Sequence, residues 1–476
     1  MMTLQEQTLN LKKFLPMVVI GLLMSFLISK TEILLPIVLV SLAAVMFSLF
    51  LIVRNIKWGF YLLILAGFFS VGVTRYAPLP LGLLIDFILV GIFLIYFLKE
   101  FKKLDWSRLS HPVFLAVFAW MVINVMELVN PESRSFEAWF YAMRGVSLYF
   151  FLTITVGFLC LNFKRDFNWF INLWFICSII GTVWGMKQLY IGLDSAEKEW
   201  LEVPGNLTTH MLFGRLRVFS FYSDAGQFGA SQAHTALVAL ILAINEKLKG
   251  RKMFYIITSL FCFYGMMISG TRGAIAIPII GLFTYFLLIR NWKIIIVGGL
   301  LFAGAFGILK FTFIGQGVYQ INRMRTALNP NDASFNVRLE NQKKLREYLN
   351  HHILGGGIGS AGYWGQRFSP GTFLANLALD SWYVRIAAEF GYIGLVLYII
   401  ILIIIVLQCW KTIGSTSDEY DRGKLIAVFC GLSGILVASY TNQVFGQLPT
   451  GTLVYISIVF LSRTPSQNST QHAKLA

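Results

Sequence analysis

Apolar runs long enough to cross a bilayer follow one another along nearly the whole chain, at approximately 14–29, 33–53, 58–74, 80–98, 112–129, 145–163, 169–193, 225–245, 253–270, 273–289, 292–313, 381–408, 424–446 and 449–462. Crossing the hydrocarbon core takes ~20 predominantly apolar residues in helical conformation. The pattern predicts an all-α integral membrane protein with about fourteen transmembrane helices. Two connections stand out by length, 194–224 and 315–380. The second far exceeds the ~12–15 residues beyond which a structureless loop is uncommon, so it is expected to hold structure of its own.

Inside that long loop, "SFNVRLENQKKLREYLNHHIL" places Leu345, Tyr348, Leu349 and His352 at helical spacing, with Arg338, Glu340, Lys343 and Lys344 on other faces. This predicts an amphipathic helix capped near Asp332 or Ser334. "GGGIGSAG" follows, and then the aromatic residues Tyr363, Trp364 and Phe368. So glycine-rich a stretch disfavours helix and reads as a mobile flap. It lacks the Lys-Ser/Thr pair and the strand-turn-helix setting that a nucleotide loop needs.

Basic residues orient the bundle, because short cytoplasmic loops are enriched in them. Lys12/Lys13, Arg54/Lys57, the 99–108 segment, Lys164/Arg165, the 247–252 segment, Arg290/Lys293 and Lys411/Arg422/Lys424 fall in every second connection. Both termini are therefore expected in the cytoplasm, with 194–224, 270–272 and 315–380 outside. The polar opening leads into an apolar run with no small-residue cleavage site, which predicts a retained anchor rather than a cleaved signal peptide.

Composition agrees with a membrane protein: 57% of residues are hydrophobic and 13% charged, against roughly a quarter charged in soluble domains. The net charge of +16 is spread over many loops, which argues against a nucleic-acid partner. On the expected outer side arginine outnumbers lysine, and inside the order reverses. Arginine's planar fork suits phosphate and carboxylate, so the outer face reads as one built for anions. The five cysteines, Cys160, Cys177, Cys262, Cys409 and Cys430, lie in spans or at cytoplasmic ends, without zinc spacing.

Charges within spans mark functional sites by default. Here they are Asp86, Lys187, His234, Arg272, Arg385 and Glu389, with Arg144 at the start of a span. All but His234 lie toward outer helix ends and are expected to ring a cavity opening outward. Arg385 and Glu389, four apart, are equally able to pair with each other. Asp224 reads as a helix N-cap and His234 as a packed, hydrogen-bonded histidine. Arg272 lies in "SGTRGA", between two apolar runs, and shares the outer face with Arg215 and Arg217 of "GRLRVFSF". Three such side chains suit a pyrophosphate; snorkelling to lipid headgroups is the alternative.

Three stretches together resemble the O-antigen ligase/polymerase superfamily of bacterial polysaccharide enzymes: "RVFSFYSDAGQFGA" leading into a span, "SGTRGA" between two spans, and "RLENQKKLREYLNHHILGGGIGS" closed by "LDSWYVRIAAEFGYIGLVLY". The resemblance covers roughly residues 216–400. It implies a GT-C-like, all-helical, metal-independent inverting glycosyltransferase without a cofactor, in the bacterial cytoplasmic (inner) membrane with its active site facing the periplasm or cell exterior. The implied donor is an undecaprenyl-pyrophosphate-linked glycan. Its acceptor is a glycan or a lipid, and membrane lipids and other polysaccharide assembly proteins are further partners.

By that resemblance Arg217 and Arg272 bind the donor pyrophosphate, with Arg215 beside them. Ligases of the family carry a histidine in a His-Asn-like element at the end of the large loop, where this chain reads Leu379-Asp380-Ser381-Trp382-Tyr383; His351 and His352 lie earlier. The expected roles are Asp380 as the base, Arg272 and Arg217 as the groups that stabilise the departing pyrophosphate, and Arg385 as the group holding either Asp380 or the sugar. Trp364, Trp382 and Tyr383 are expected to stack on sugar faces. Asp380 serves equally well as a helix cap. The expected organisation is an N-terminal bundle over 1–193, a ligase/polymerase-like core over 194–463 and a disordered tail over 464–476. The function expected is polymerisation of repeat units for an O-antigen, capsule or exopolysaccharide. An O-antigen-type ligase is the alternative, and a polytopic transporter or lipid-linked-sugar flippase the rival from another class.

Overall fold

The computed structural model describes residues 34–77, 82–100, 106–289 apart from 204 and 213, and 333–463, with isolated positions between 296 and 325. The candidate span at 14–29, most of that at 292–313, and the tail 464–476 lie outside the described residues. The chain divides into two units, 1–59 and 60–476. In the first, the helix Leu34–Arg54 exposes Leu42, Met46, Phe47 and Phe50, an apolar surface of the kind lipid tails cover.

Within the second unit the described residues are almost wholly helical. The long apolar helices are Gly82–Lys99, Pro112–Val129, Phe136–Cys160, Phe163–Tyr190, Ala225–Asn245, Arg272–Ile289 and Trp382–Ser415. Lys249–Ile268, Glu419–Ala438 and the shorter Thr450–Leu461 join them. Strand among the described residues is confined to a hairpin pairing Met211 with Leu216 and Leu212 with Arg215.

Ala225–Asn245 is the central helix, with 89% of its apolar window buried. Its first half, "AGQFGASQA", explains why neighbours come so close. Small residues let helix backbones approach where lipid provides no hydrophobic driving force. A Cβ on Gly229 would lie 2.3 Å from Ser269 Oγ, and one on Gly281 would lie 2.1 Å from Leu237 Cδ2. Polar side chains tie the same contacts: Trp174 Nε1 donates to Thr235 Oγ1 at 2.8 Å and Gln232 Nε2 to the Tyr222 hydroxyl at 3.0 Å.

Several boundaries differ from the sequence reading. The span expected at 145–163 begins at Phe136, and its residues Arg144–Leu148 form a π-helical turn inside it. The span expected at 424–446 ends at Ala438, and Ser439–Pro449 is a loop of turns and bends. Apolar Val444, Phe445 and Leu448 had hidden the polar run Thr441-Asn442-Gln443 within one hydropathy window. Gly391, with φ 67° and ψ −171°, breaks Trp382–Ser415 after its first turns.

The amphipathic helix is Ala333–Leu349. Ser334 therefore lies inside its first turn, and Asp332 is outside the described residues. Leu345 and Leu349 are buried with Ala361, Leu374, Leu377, Leu379, Ala387 and Ala388, a small core between the long loop and the broken helix. The glycine run is no mobile flap: Gly355–Gly359 are buried, and the amides of Gly356 and Gly357 donate to the carbonyls of Ala388 and Glu389, both at 2.9 Å. Close approach of backbones accounts for the glycines, since a Cβ on Gly359 would lie 2.4 Å from Ala138 O.

Candidate active site

"SGTRGA" caps the contact between two helices at the end of the bundle that carries the long loop. Gly270 turns the chain with φ 59°, a conformation L side chains rarely adopt. Thr271 Oγ1 donates to the carbonyl of Ala225 at 2.7 Å and accepts from Arg217 Nη2 at 3.3 Å. This fastens the loop to the head of the central helix. Arg272 then opens a 3-10 turn, Arg272–Ile275, and is half-buried.

Two further guanidinium groups meet this loop. Arg217 Nη1 donates to Thr209 O at 2.9 Å, and Arg323 Nε donates to Gly270 O at 2.7 Å. A Cβ built on Gly270 would stand 3.0 Å from Arg323 Cδ and 3.8 Å from Arg217 Cγ. The expected company of Arg217 and Arg272 is thus joined by Arg323, which sequence reasoning missed. Its only signal was the basic pair in "NRMR" within a long loop with no periodicity there to rank it. Arg215 stands exposed on the hairpin two residues before Arg217.

The Arg217 segment is held from behind. Arg75 lies against the paired rings of Trp200 and Phe219, 4.3 and 4.7 Å from their centroids, and donates to the carbonyls of Ser220 and Tyr222. Burial lowers its pKa to about 10, so it stays charged at neutral pH. His210 Nε2 accepts the Ala225 amide at 3.3 Å, which leaves Nδ1 to donate to Asn206 O at 2.9 Å. Burial pushes the His210 pKa below its ordinary value, and the imidazole is neutral.

Across the loop, Gly273 packs on the Ser439–Pro449 segment, where its Cβ would lie 2.4 Å from Thr441 Oγ1 and 2.5 Å from Asn442 Nδ2. Thr441 also lines a cleft of about 50 Å³ with Asp380, Arg338 and Tyr440. Asp380 and Gly273, the residue after Arg272, are therefore both neighbours of Thr441. Asp380 is exposed and accepts from Arg338 Nε at 2.9 Å. It is not the cap of the following helix: Ser381 is, accepting the Val384 amide.

Arg385 does not hold Asp380. Its Nε donates to Glu389 Oε1 at 3.1 Å and its Nη1 to Gln443 Oε1 at 3.3 Å, while Gln443 Nε2 donates to Leu379 O. Tyr383 is half-buried, with its hydroxyl donating to Leu436 O at 2.7 Å. Trp382 is 1% exposed and donates to the Tyr398 hydroxyl at 2.9 Å, so its ring supports the loop instead of opening to solvent. Trp364 stacks on Tyr141, centroids 4.8 Å apart at 14°, on the far side of the glycine run.

The intramembrane charges do not ring a single cavity. Asp86 pairs with Arg144, and Lys187 with Asp194 and Glu197 at 2.8 and 2.7 Å. Asp224 caps the central helix as expected, accepting the Gln227 amide at 2.9 Å. His234 is packed against Trp174, 4.7 Å between centroids, but neither ring nitrogen has a hydrogen-bond partner among the described residues.

Residues 257–399 match the family model described as O-antigen ligase. The match bears out the superfamily resemblance over that segment. It contains Arg272, Arg323, Arg338, Asp380 and Arg385, while Arg215 and Arg217 precede it. No curated protein matches the chain.

Proposed function

We propose that this chain, placed in the O-antigen ligase/polymerase superfamily by residues 257–399, polymerises undecaprenyl-pyrophosphate-linked repeat units into a surface polysaccharide on the outer face of the bacterial cytoplasmic membrane. The observation that supports this reading most is the convergence of Arg217 and Arg323 on the loop that carries Arg272. A pyrophosphate leaving group needs several charge-assisted donors in place before charge develops on it.

The reaction is a displacement with inversion. An acceptor sugar hydroxyl attacks the anomeric carbon of the growing chain; the bond from that carbon to the phosphate oxygen breaks, and the lipid pyrophosphate departs with the electron pair. Arg217, Arg272 and Arg323 receive that charge. Asp380, oriented by Arg338, takes the hydroxyl proton. Nothing in these steps requires a metal.

The test is turnover of an undecaprenyl-pyrophosphate repeat unit by purified protein in nanodiscs, with products sized on a gel. A ladder of lengthening glycans is expected, and Asp380→Asn is expected to lower its rate ~100- to 10,000-fold, the usual worth of a general base. Arg323→Ala is expected to weaken donor binding about 10- to 100-fold, read as a higher KM, as for loss of one hydrogen bond from a charged group. The family description favours a second reading, ligation to lipid A-core. A single addition to that acceptor, with no ladder, would establish it. Movement of the lipid-linked sugar across vesicles without glycosidic bond formation would establish the transporter.

A further inference from the structure

A second concavity lies on the other side of the glycine run from the arginine loop's partners. It has a volume of about 200 Å³ and is bounded by the turn Glu132–Ser135, the end of the amphipathic helix and the segment 369–374. That is smaller than the ~300 Å³ at which drug-sized pockets begin. The space suits one pyranose ring, not an oligosaccharide.

Aromatic rings form one wall. His352 lies parallel to Tyr348, centroids 4.1 Å apart at 4°, and Phe373 stacks on Tyr348 at 5.2 Å and 18°. Phe373 is 44% exposed despite lining a polar cavity. Glu132 and Arg134 also line the space, with Glu132 Oε2 3.8 Å from His352 Nε2. Ser360 lines the space as well, with its Oγ turned inward, buried and without a hydrogen-bond partner among the described residues.

We infer that this cavity binds one sugar ring of the glycan at a distance from the bond being made, a reading that rests on the function proposed above. A pyranose has an apolar C–H face and a rim of hydroxyls that both donate and accept. The C–H face matches the electron-rich face of Phe373 that Tyr348 leaves uncovered; the hydroxyl rim matches an acceptor at Glu132 and a donor at Arg134. One acidic and one basic side chain leave the lining without the excess positive charge that a pyrophosphate requires. The turn Glu132–Ser135 falls outside the segment that matches the family model. Recognition of this chain's particular saccharide therefore draws on its N-terminal helices.

The experiment uses the full chain in nanodiscs and, as probe, a single repeat-unit oligosaccharide released by mild acid from the host strain's own surface polysaccharide, free of lipid and pyrophosphate. Binding is followed by saturation-transfer NMR for wild type, Phe373→Ala, Phe373→Leu, Ser360→Ala and Arg272→Ala. The expected result is binding by wild type and Arg272→Ala alike, weakened about 3- to 10-fold by either Phe373 variant, the worth of one aromatic face. Melting of Phe373→Leu at the wild-type temperature separates loss of the ring face from loss of fold. No binding by wild type, or equal binding by wild type and the Phe373 variants, overturns the site even if a glycan ladder forms. Phe373-dependent binding without any ladder upholds the site and rejects the polymerase.

Discussion

Replacing Arg272 with alanine is expected to lower the turnover of a lipid-pyrophosphate glycan ~100- to 1000-fold, the loss that follows removal of one preorganised donor to a developing anion. The reason lies in how the side chain is carried. Gly270 and Thr271 place Arg272 at the start of a 3-10 turn, and Thr271 is bound both to the head of the central helix and to Arg217. The backbone at this point is thus held by bonds that do not involve the Arg272 side chain. The Thr271 bonds to Ala225 and Arg217 are therefore expected to survive truncation of Arg272.

Arg272→Lys separates two contributions. Lysine keeps a unit charge but lacks the fork that grips two phosphate oxygens at once, so an intermediate rate is expected, with most of the loss in kcat. The measurement is steady-state turnover in nanodiscs beside a thermal melt. Equal melting temperatures with a large fall in kcat support a role in the departing charge. Wild-type kcat in Arg272→Ala would return the side chain to the lipid headgroups and remove it from the mechanism.

The legible parts of this protein were those governed by composition over a window. Among the described residues, helices stand where apolar runs stood, because a bilayer leaves a chain few other ways to satisfy its backbone. Arg217 and Arg272 were visible because a charge among apolar residues is conspicuous. What the pattern could not carry was partnership between distant segments. Arg323, fifty-three residues from the Gly270 carbonyl it binds, sits among other loop charges with nothing local to distinguish it. Thr441, Asn442 and Gln443 vanished into an apolar average, although they form the contact between "SGTRGA" and the Asp380 region. Asp380 was read as base or cap; the cap reading fails because Ser381 Oγ accepts the Val384 amide.

Glycine was the hardest residue to read, because freedom to move and freedom to be crowded look identical in a sequence. Gly391 shows the second meaning. Its φ of 67° and ψ of −171° belong to a region almost restricted to glycine, and a Cβ there would lie 1.8 Å from the carbonyl oxygen of Ile353 and 2.8 Å from the Gly355 amide nitrogen. Gly391→Ala is therefore expected to destabilise the fold by about 2–6 kcal/mol, summing backbone strain and overpacking. The clash falls where the Gly356 and Gly357 amides bind the Ala388 and Glu389 carbonyls. Relief by backbone movement would separate the glycine run from the helix that carries Arg385 and Glu389. Gly414→Ala is the matched control: it lies near the other end of the same helix, and its Cβ meets nothing within 4 Å. Intrinsic fluorescence melts in detergent should show a lowered transition for Gly391→Ala and an unchanged or slightly raised one for Gly414→Ala, since alanine favours helix over glycine by ~1 kcal/mol. A wild-type melt for Gly391→Ala would mean that the glycine run can leave the broken helix without cost, and that the Gly356 and Gly357 bonds to Ala388 and Glu389 do not hold the two together.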